Sequence, residues 1–377
     1  MVYLDNAATT FPKPEAVYTA MDHTNRTLAV NAGRGAYNAA KKASGIIDDT
    51  REQIASLFHA RGIANVLFTP SITHAMNQIF NGLNLNSEST VYISPYEHNA
   101  VARTVHMLQN RVGFEVELLP LQDDLRVDIK RTQYMFTEKA PTVVVMNALS
   151  NVTGYILPVA DVFRAAKKAG AITIMDAAQA AGLIDVDMLG CQADIICFAG
   201  HKTLYGPFGI GGFVVKHGVL LTPFLAGGTG TDSLNLEMPD RAPERYEAAS
   251  PNIVAISGLN AALSVLDQKE HLETVKTKTQ YLTERLNDLE KVKILAGYGD
   301  KETLGIVSFV VEGYDSGDVG AILNDEFDIA VRTGYHCAPY IHEYLKDLEY
   351  AGTVRASVGL YTTEQDIDAL IDALRTL

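Results

Sequence analysis

Residues 198–212 read F-A-G-H-K-T-L-Y-G-P-F-G-I-G-G, and this stretch decides how the rest of the chain is interpreted. It places Lys202 directly after His201 and ahead of four glycines. The apolar run 195–198 before it and the run 211–215 after it predict two short buried strands. Most lysines are solvated surface charges, but a lysine between buried strands has a lowered pKa, which suits Schiff-base chemistry. Lys202 is therefore the first candidate catalytic residue.

A second strand-like run, residues 171–175, ends at Asp176. An acid at one strand end and a lysine at a later one are what pyridoxal 5'-phosphate (PLP) needs, because the amine holds the aldehyde and the acid pairs with the pyridine nitrogen. The alternative for Asp176 is a helix N-cap before Ala177. Because His201 and Lys202 follow it, we favour the cofactor site.

Motifs spread over nearly the whole chain make it resemble the cysteine desulfurase and selenocysteine lyase family, in the class-V aminotransferase group of fold-type-I PLP enzymes. In chain order the motifs are Y-L-D-N-A-A-T-T at 3–10, Y-E-H-N at 96–99, S-N-V-T-G at 150–154, D-A-A-Q at 176–179, A-G-H-K-T-L-Y-G-P at 199–207, E-A-A-S-P-N at 247–252, R-T-G-Y-H-C-A-P at 332–339 and V-R-A-S at 354–357. Any one of them alone is weak, whereas the ordered set is specific.

The hydrophobic pattern supports an α/β fold. Strand-like runs alternate with helical ones, which predicts parallel βαβ units. Ligands of such sheets bind beyond the carboxyl ends of the strands, where Asp176 and Lys202 both fall. With the resemblance, we expect the fold-type-I PLP-dependent transferase architecture. Residues 15–255 would form a large PLP-binding domain with a mainly parallel sheet, and residues 1–14 plus 256–377 a smaller α+β domain.

The resemblance implies further residues around the cofactor ring. His98 would stack on the pyridine ring and move protons, although a lone histidine is more often structural. Gln179 would bond the ring hydroxyl oxygen, and Asn151 would face both cofactor and substrate.

A phosphate site is expected near Thr73, His201 and Ser250. Thr73 lies at the start of a predicted helix, and free N–H groups there bind phosphate; the alternative is that Ser71 only caps this helix. By resemblance, Ser250 reaches the phosphate in the neighbouring subunit, whereas a turn hydroxyl before a proline is the plainer explanation. Ala199 stands where the family often has a serine, so one phosphate-binding hydroxyl is missing.

Arginines are the candidates for binding the substrate. Arg355 interrupts an otherwise apolar strand, and a buried arginine needs an anion, which its planar fork fits when the anion is a carboxylate. By resemblance, Arg355 holds the substrate α-carboxylate. Arg332 is a second candidate, with a structural ion pair as its alternative. Arg34 would either reach a phosphate or substrate or be a surface charge.

Cys337 is the candidate nucleophile, because it lies in a loop-like segment next to a histidine and thiolate is the reactive form of cysteine. His336 and His342 nearby would suggest zinc, but further ligands at suitable spacing are missing, and we predict no metal. Cys191 and Cys197 are expected in the core or at a helix end.

Composition excludes several classes of protein. The net charge of −14 argues against non-specific nucleic-acid binding, and no apolar run is long enough to span a membrane. The three cysteines give no paired framework, and we find no signal peptide, so we expect a cytoplasmic protein.

The functional hypothesis is a homodimeric PLP enzyme that converts L-cysteine to L-alanine and forms a persulfide on Cys337, for delivery to a possible sulfur-acceptor protein. Alternatives are a lyase acting on L-selenocysteine, and another class-V aminotransferase or β-lyase that does not use Cys337. From a different class, the chain would be a non-catalytic sulfur carrier or regulatory partner. The presence of Lys202, Asp176 and Cys337 together counts against that alternative.

Overall fold

The structure is a computed structural model, and it describes residues 1–32, 35, 37–230, 234–296 and 302–377. Its helices are α1 Glu15–Thr27, α2 Asn38–Leu57, α3 Ile72–Gly82, α4 Asn99–Val112, α5 Ile129–Glu138, α6 Val159–Lys168, α7 Ile253–Val265, α8 Gln268–Asn287, α9 Ser316–Phe327, α10 Ile341–Leu345 and α11 Glu364–Leu374. Its strands are β1 Val2–Tyr3, β2 Ala64–Thr69, β3 Thr90–Ile93, β4 Glu115–Leu118, β5 Val143–Asn147, β6 Ile172–Asp176, β7 Ile195–Ala199, β8 Gly211–Lys216, β9 Val292–Ile294, β10 Ile306–Val311, β11 Ile329–Ala330, β12 Arg332–Gly334 and β13 Thr353–Ser357.

The large sheet has seven strands in the order β2-β8-β7-β6-β5-β3-β4. Its pairs are parallel from β7 through β6, β5 and β3 to β4, while β8 runs antiparallel to both of its neighbours. Strands β5 and β7 are buried along their whole length, as expected when both faces of a parallel sheet are covered by helices. The predicted α/β architecture with a mainly parallel sheet is confirmed.

The register of this sheet gathers the candidate site residues at the carboxyl ends of its strands. Asn147 pairs with Asp176, and Asp176 pairs with Cys197, so the carboxyl ends of β5, β6 and β7 lie side by side. Lys202 follows β7 directly. A Cβ atom on Gly211 would lie 3.2 Å from the backbone N of Ile72. Glycine is therefore needed there to let the start of α3 approach the start of β8.

A second sheet is antiparallel, with the order β12-β13-β10-β9, and lies in the C-terminal part of the chain. The N-terminal strand β1 joins that part, because it pairs in parallel with β11. The division into residues 15–255 and residues 1–14 plus 256–377 stays a prediction; the second of these boundaries falls within α7.

Local signals account for individual helices. In α6 the apolar stripe Val159, Val162, Phe163 and Ala166 is buried as its spacing predicts. Helix α11 begins with a capping box, in which the Thr363 side chain accepts from the backbone N of its N3 residue and that residue's carboxylate accepts in return. None of the described helices is long and apolar enough to cross a membrane.

Candidate active site

Lys202 lies in the turn between β7 and β8, where its ammonium group would be removed from water. Burial lowers the pKa of Lys202 to about 8, and the Asp176 carboxylate opposes this shift. Arg355 and Arg332 lower this pKa further, while Cys337 raises it. These four side chains are thus close enough to act electrostatically on the Lys202 amine, although three of them are more than 100 residues away in the sequence.

Asp176 ends β6 and is buried. Its Oδ1 atom accepts a hydrogen bond of 2.8 Å from the backbone N of Ala178. Burial raises the pKa of Asp176, and the Lys202 charge lowers it. Gln179, one turn further on, is also buried, and its side-chain amide donates to the Ala7 carbonyl at 2.8 Å. A cation beside Asp176 would therefore contact a carboxylate that is largely shielded from water.

Glu97 is a buried acid that the sequence analysis did not single out. Its Oε1 atom accepts from the Ser94 hydroxyl at 2.6 Å and from the backbone N of Asn147 at 2.7 Å. Burial, followed by repulsion from Asp176, raises the pKa of Glu97 to about 8. Near neutral pH Glu97 is therefore mostly uncharged.

His98 caps the N-terminus of α4. Its Nδ1 atom accepts a hydrogen bond of 3.0 Å from the backbone N of Ala100. Burial, and then the positive charge of Lys202, lower the pKa of His98 to about 3. Since Nδ1 must be an acceptor, the hydrogen of the neutral ring resides on Nε2. His98 therefore has the structural role of a helix cap, and this role leaves its Nε2 hydrogen available for the predicted role in the site.

Cys337 lies in a turn just after β12. Its Sγ atom is 3.4 Å from the Arg332 guanidinium, and its carbonyl accepts from the backbone N of Asn99 at 2.6 Å. His336 and Cys337 have φ angles of 45° and 58°, a left-handed conformation that non-glycine residues adopt rarely. Surrounding contacts must hold this backbone in place, and they bring the sulfur next to a positive charge. Cys197 is buried in β7, as predicted, whereas Cys191 is half-buried in a turn and not at a helix end.

Arg355 is buried in β13 and already has an anionic partner. Its Nη2 atom is 2.7 Å from Asp5 Oδ1, and its Nη1 atom donates to the Asn151 carbonyl at 2.8 Å. Asp5 thus supplies the anion that burial of Arg355 demands, a contact that no local sequence signal could reveal. The role of Arg355 toward a substrate carboxylate stays a prediction.

The candidate phosphate ligands are spread over several elements. Thr73 is exposed in the first turn of α3, and Ser71 caps this helix by accepting from the backbone N of His74 at 3.2 Å. The His201 ring stacks on Phe208 with centroids 4.7 Å apart. Ser250 is exposed ahead of α7. Arg34 lies outside the described residues.

Lys13 is a second lysine at the site that the sequence analysis missed. Its Nζ atom donates to the His201 carbonyl and to the Thr10 hydroxyl, both at 2.8 Å. The Thr9 hydroxyl donates to the same carbonyl at 2.9 Å. Burial lowers the pKa of Lys13 to about 7. The N-terminal loop therefore holds the peptide that precedes Lys202.

Buried polar atoms without partners show that the site fits PLP. Among the described residues, His201 Nδ1, Asn151 Oδ1 and Arg355 Nε are buried without a hydrogen-bond partner. Each such atom costs about 1–3 kcal/mol unless water or a ligand satisfies it. An amine, a carboxylate and a helix N-terminus also match the aldehyde, pyridine nitrogen and phosphate of PLP. Within the same described ranges, no group of three or more His, Cys, Asp or Glu residues is arranged to hold a metal ion.

Comparisons with known proteins agree with this geometry. The family model described as Aminotransferase class-V matches residues 2–370. A probable cysteine desulfurase from Halalkalibacterium halodurans is 34% identical over 99% of this chain and 92% of its own length. Another, from Streptomyces coelicolor, is 32% identical over 99% of this chain and 91% of its own.

Solved structures give the same result. The apo structure of a cysteine desulfurase from Thermococcus onnurineus superposes with a TM-score of 0.90 at 28% identity, covering 100% of this chain and 94% of that one. A cysteine desulfurase from Escherichia coli, solved with an S-sulfonic acid, gives a TM-score of 0.84 at 27% identity over 100% and 94% of the two chains. The resemblance inferred from the motifs is thereby confirmed, and the chain belongs to the class-V aminotransferase family.

Proposed function

We propose that the chain is a PLP-dependent cysteine desulfurase that converts L-cysteine to L-alanine and takes up the sulfur as a persulfide on Cys337. The observation that carries this proposal is the position of the Cys337 sulfur, 3.4 Å from the Arg332 guanidinium and within electrostatic reach of Lys202. A nucleophilic thiol beside the lysine that would hold the cofactor is what sulfur removal requires.

The chain's own residues support each requirement of this chemistry. When bound, PLP supplies an electron sink that makes the α-carbon of an amino acid acidic. Lys202, with its pKa lowered to about 8, is neutral in a useful fraction of molecules, so its amine can take the α-proton and return it. Asp176 would keep the pyridine nitrogen protonated. Arg355 would orient the substrate carboxylate, and His98 would present its Nε2 hydrogen to the site.

Sulfur transfer is the step that belongs to Cys337. Its thiolate attacks the substrate sulfur, so an S–S bond forms while the bond from sulfur to the substrate β-carbon breaks. The electron pair of the broken bond stays with the substrate carbon, which takes up a proton and becomes the methyl group of alanine. Arg332 would stabilise the thiolate before the attack. The balance is L-cysteine and a thiol giving L-alanine and a persulfide.

The proposal extends to assembly and surroundings. Ser250 is exposed, as a residue that serves the phosphate site of a neighbouring subunit would be in an isolated chain, and this supports a homodimer. A persulfide on Cys337 must be passed on, which implies a sulfur-acceptor protein or a small thiol. The three free cysteines favour a reducing, cytoplasmic location.

Product analysis tests the proposed function. Purified protein loaded with PLP and given L-cysteine and a thiol reductant is expected to release L-alanine and sulfide in equal amounts. A β-lyase would release pyruvate and ammonia together with the sulfide. Chromatography of the amino-acid and keto-acid products that finds pyruvate in place of alanine would contradict the proposal, as would the absence of any sulfide.

Asp176→Asn tests the partner of the pyridine nitrogen. The amide keeps an acceptor for Ala178 N but removes the charge, so we expect alanine formation to fall about 100-fold or more. PLP should still be retained and should still become fixed to the protein by borohydride, which absorbance and intact mass measure.

Asp194→Asn is the matched control, because Asp194 is another buried acid of the same sheet, paired with Lys167 at 2.6 Å outside the site. It should keep activity even if it costs stability. Equal losses in the two variants would mean that Asp176 acts only through the fold.

A further inference from the structure

The turn that carries Cys337 is held through three consecutive carbonyl groups. The Cys337 carbonyl accepts from the backbone N of Asn99 at 2.6 Å. The His336 carbonyl accepts from the Asn151 side-chain amide at 2.8 Å. The Tyr335 carbonyl lies 2.9 Å from Nε2 of His342. Asn99 begins α4 and Asn151 lies in the turn after β5, whereas His342 comes from α10, so three separate elements hold the turn.

His342 is part of a buried pair that the proposed chemistry does not use. Its side chain is 3% exposed and that of Asp347 is 0% exposed, and its Nδ1 atom lies 2.6 Å from Asp347 Oδ2. A carbonyl oxygen and a carboxylate both only accept, so Nε2 donates to the Tyr335 carbonyl and Nδ1 donates to Asp347. Asp347 at the opposite nitrogen fixes the plane of the ring, as a carboxylate behind a functional histidine does in other enzymes.

The backbone beyond Tyr335 explains why such an anchor is needed. The next two residues both have left-handed φ angles, a conformation that is strained for residues other than glycine and persists only where the surroundings impose it. Without the His342 hydrogen bond, the Tyr335 carbonyl would keep only the local bond from the backbone N of Ala338, at 3.0 Å. That bond lies within the turn itself and cannot fix the turn relative to the rest of the protein.

We propose that His342, oriented by Asp347, is the positioning residue that sets the place of the Cys337 sulfur relative to Arg332 and Lys202. The effect on turnover rests on the proposed function, whereas the fixing of the Cys337 turn by His342 does not depend on it. His342 touches neither substrate nor cofactor in this scheme; it acts through the Tyr335 carbonyl. A displacement of about 1 Å at a reacting atom can lower a rate by up to about 100-fold.

Two substitutions of His342 separate its two hydrogen bonds. In His342→Asn the amide nitrogen takes the position of Nδ1, which keeps the contact with Asp347 and loses the donor to Tyr335. In His342→Gln the amide nitrogen takes the position of Nε2 and keeps that donor. His271→Asn is the control for replacing a buried histidine by asparagine, because His271 is also buried and lies away from the Cys337 turn. Its Nδ1 atom lies 2.9 Å from the Gly182 carbonyl, a contact that the asparagine nitrogen keeps.

Hydrogen–deuterium exchange on the PLP-loaded proteins measures the turn directly. We expect faster exchange in the peptide that contains residues 335–338 for His342→Asn, and exchange close to wild type for His342→Gln and His271→Asn. In the alanine assay, kcat of His342→Asn should fall about tenfold with KM for L-cysteine changed less than about twofold, and His342→Gln should recover most of the loss.

The outcomes divide cleanly. Unchanged exchange at 335–338 in His342→Asn would overturn the inference, whatever the activity of the enzyme. Equal losses of kcat in His342→Asn and His271→Asn would overturn it too, because a general loss of stability would then explain both. If the wild type forms no alanine, the proposed function fails, while the exchange comparison still decides whether His342 fixes the turn.

Discussion

Lys202→Ala is expected to abolish alanine formation and to leave PLP bound without a covalent link. Lys202 is the half-buried lysine that follows β7, and its amine is both the group that would hold the aldehyde and the group that would move the α-proton. Losing both roles should lower turnover by about 10⁴-fold or more. Borohydride reduction followed by peptide mass spectrometry should fix PLP to Lys202 in the wild type and to no residue in the variant.

A lysine outside the site provides the control for this result. Lys216 ends β8, the strand that follows the Lys202 turn, so Lys216→Ala should keep its activity and its reducible cofactor. Label found on Lys13 instead would reassign the cofactor lysine, since Lys13 is the other amine whose pKa is lowered near this turn. Substantial activity in Lys202→Ala would contradict the assignment outright.

Cys337→Ala is expected to stop desulfuration of L-cysteine while leaving the cofactor in place. No other described cysteine lies beside Arg332 and Lys202, so its loss removes the atom that accepts sulfur. We expect turnover to drop by roughly three orders of magnitude or more. The PLP absorbance and its fixation by borohydride should match the wild type, because both depend on Lys202.

Two comparisons sharpen the Cys337 test. Cys191→Ala and Cys197→Ala should stay active, and wild-type protein treated with L-cysteine should carry one added sulfur on the Cys337 peptide. L-selenocysteine should remain a substrate for Cys337→Ala, because selenium is a better leaving group and can depart without thiol attack. Sulfur found on Cys191 or Cys197, or full cysteine turnover in the variant, would refute the persulfide mechanism.

The large sheet could be predicted because each of its buried strands corresponds to a short, local pattern of apolar residues. The runs that end at Asp176 and that precede Lys202 are apolar and short, and parallel strands buried on both faces produce such runs. The same logic placed both residues at the carboxyl edge of the sheet. Lys202 could be recognised because a lysine interrupts an apolar, glycine-rich context, and Cys337 because a loop-like motif surrounds it.

The missed residues share a different property: their roles depend on partners far away in the sequence. In the sequence Asp5 is only an acidic residue within a short motif, and its role becomes clear from its distance of 2.7 Å to Arg355. Lys13 reads as a surface charge until its bond to the His201 carbonyl is known. Glu97 lies in a recognised motif, but its burial beside Asp176 is a consequence of sheet packing. No hydrophobic period or capping signal encodes such contacts.

The union of the two chain ends has a consequence for biosynthesis. Strand β1 pairs with β11, the Asn6 amide donates to the Ser357 carbonyl, and Asp5 meets Arg355 across 350 positions of sequence. A ribosome makes residues 2–6 before residues 329–357, so residues 2–6 wait unpaired until those partners have emerged. Closing so long a loop is entropically costly and slow. The seven-stranded sheet, made from residues 64–216, can form during synthesis, whereas the contact of Asp5 with Arg355 can form only after residue 355 has been made.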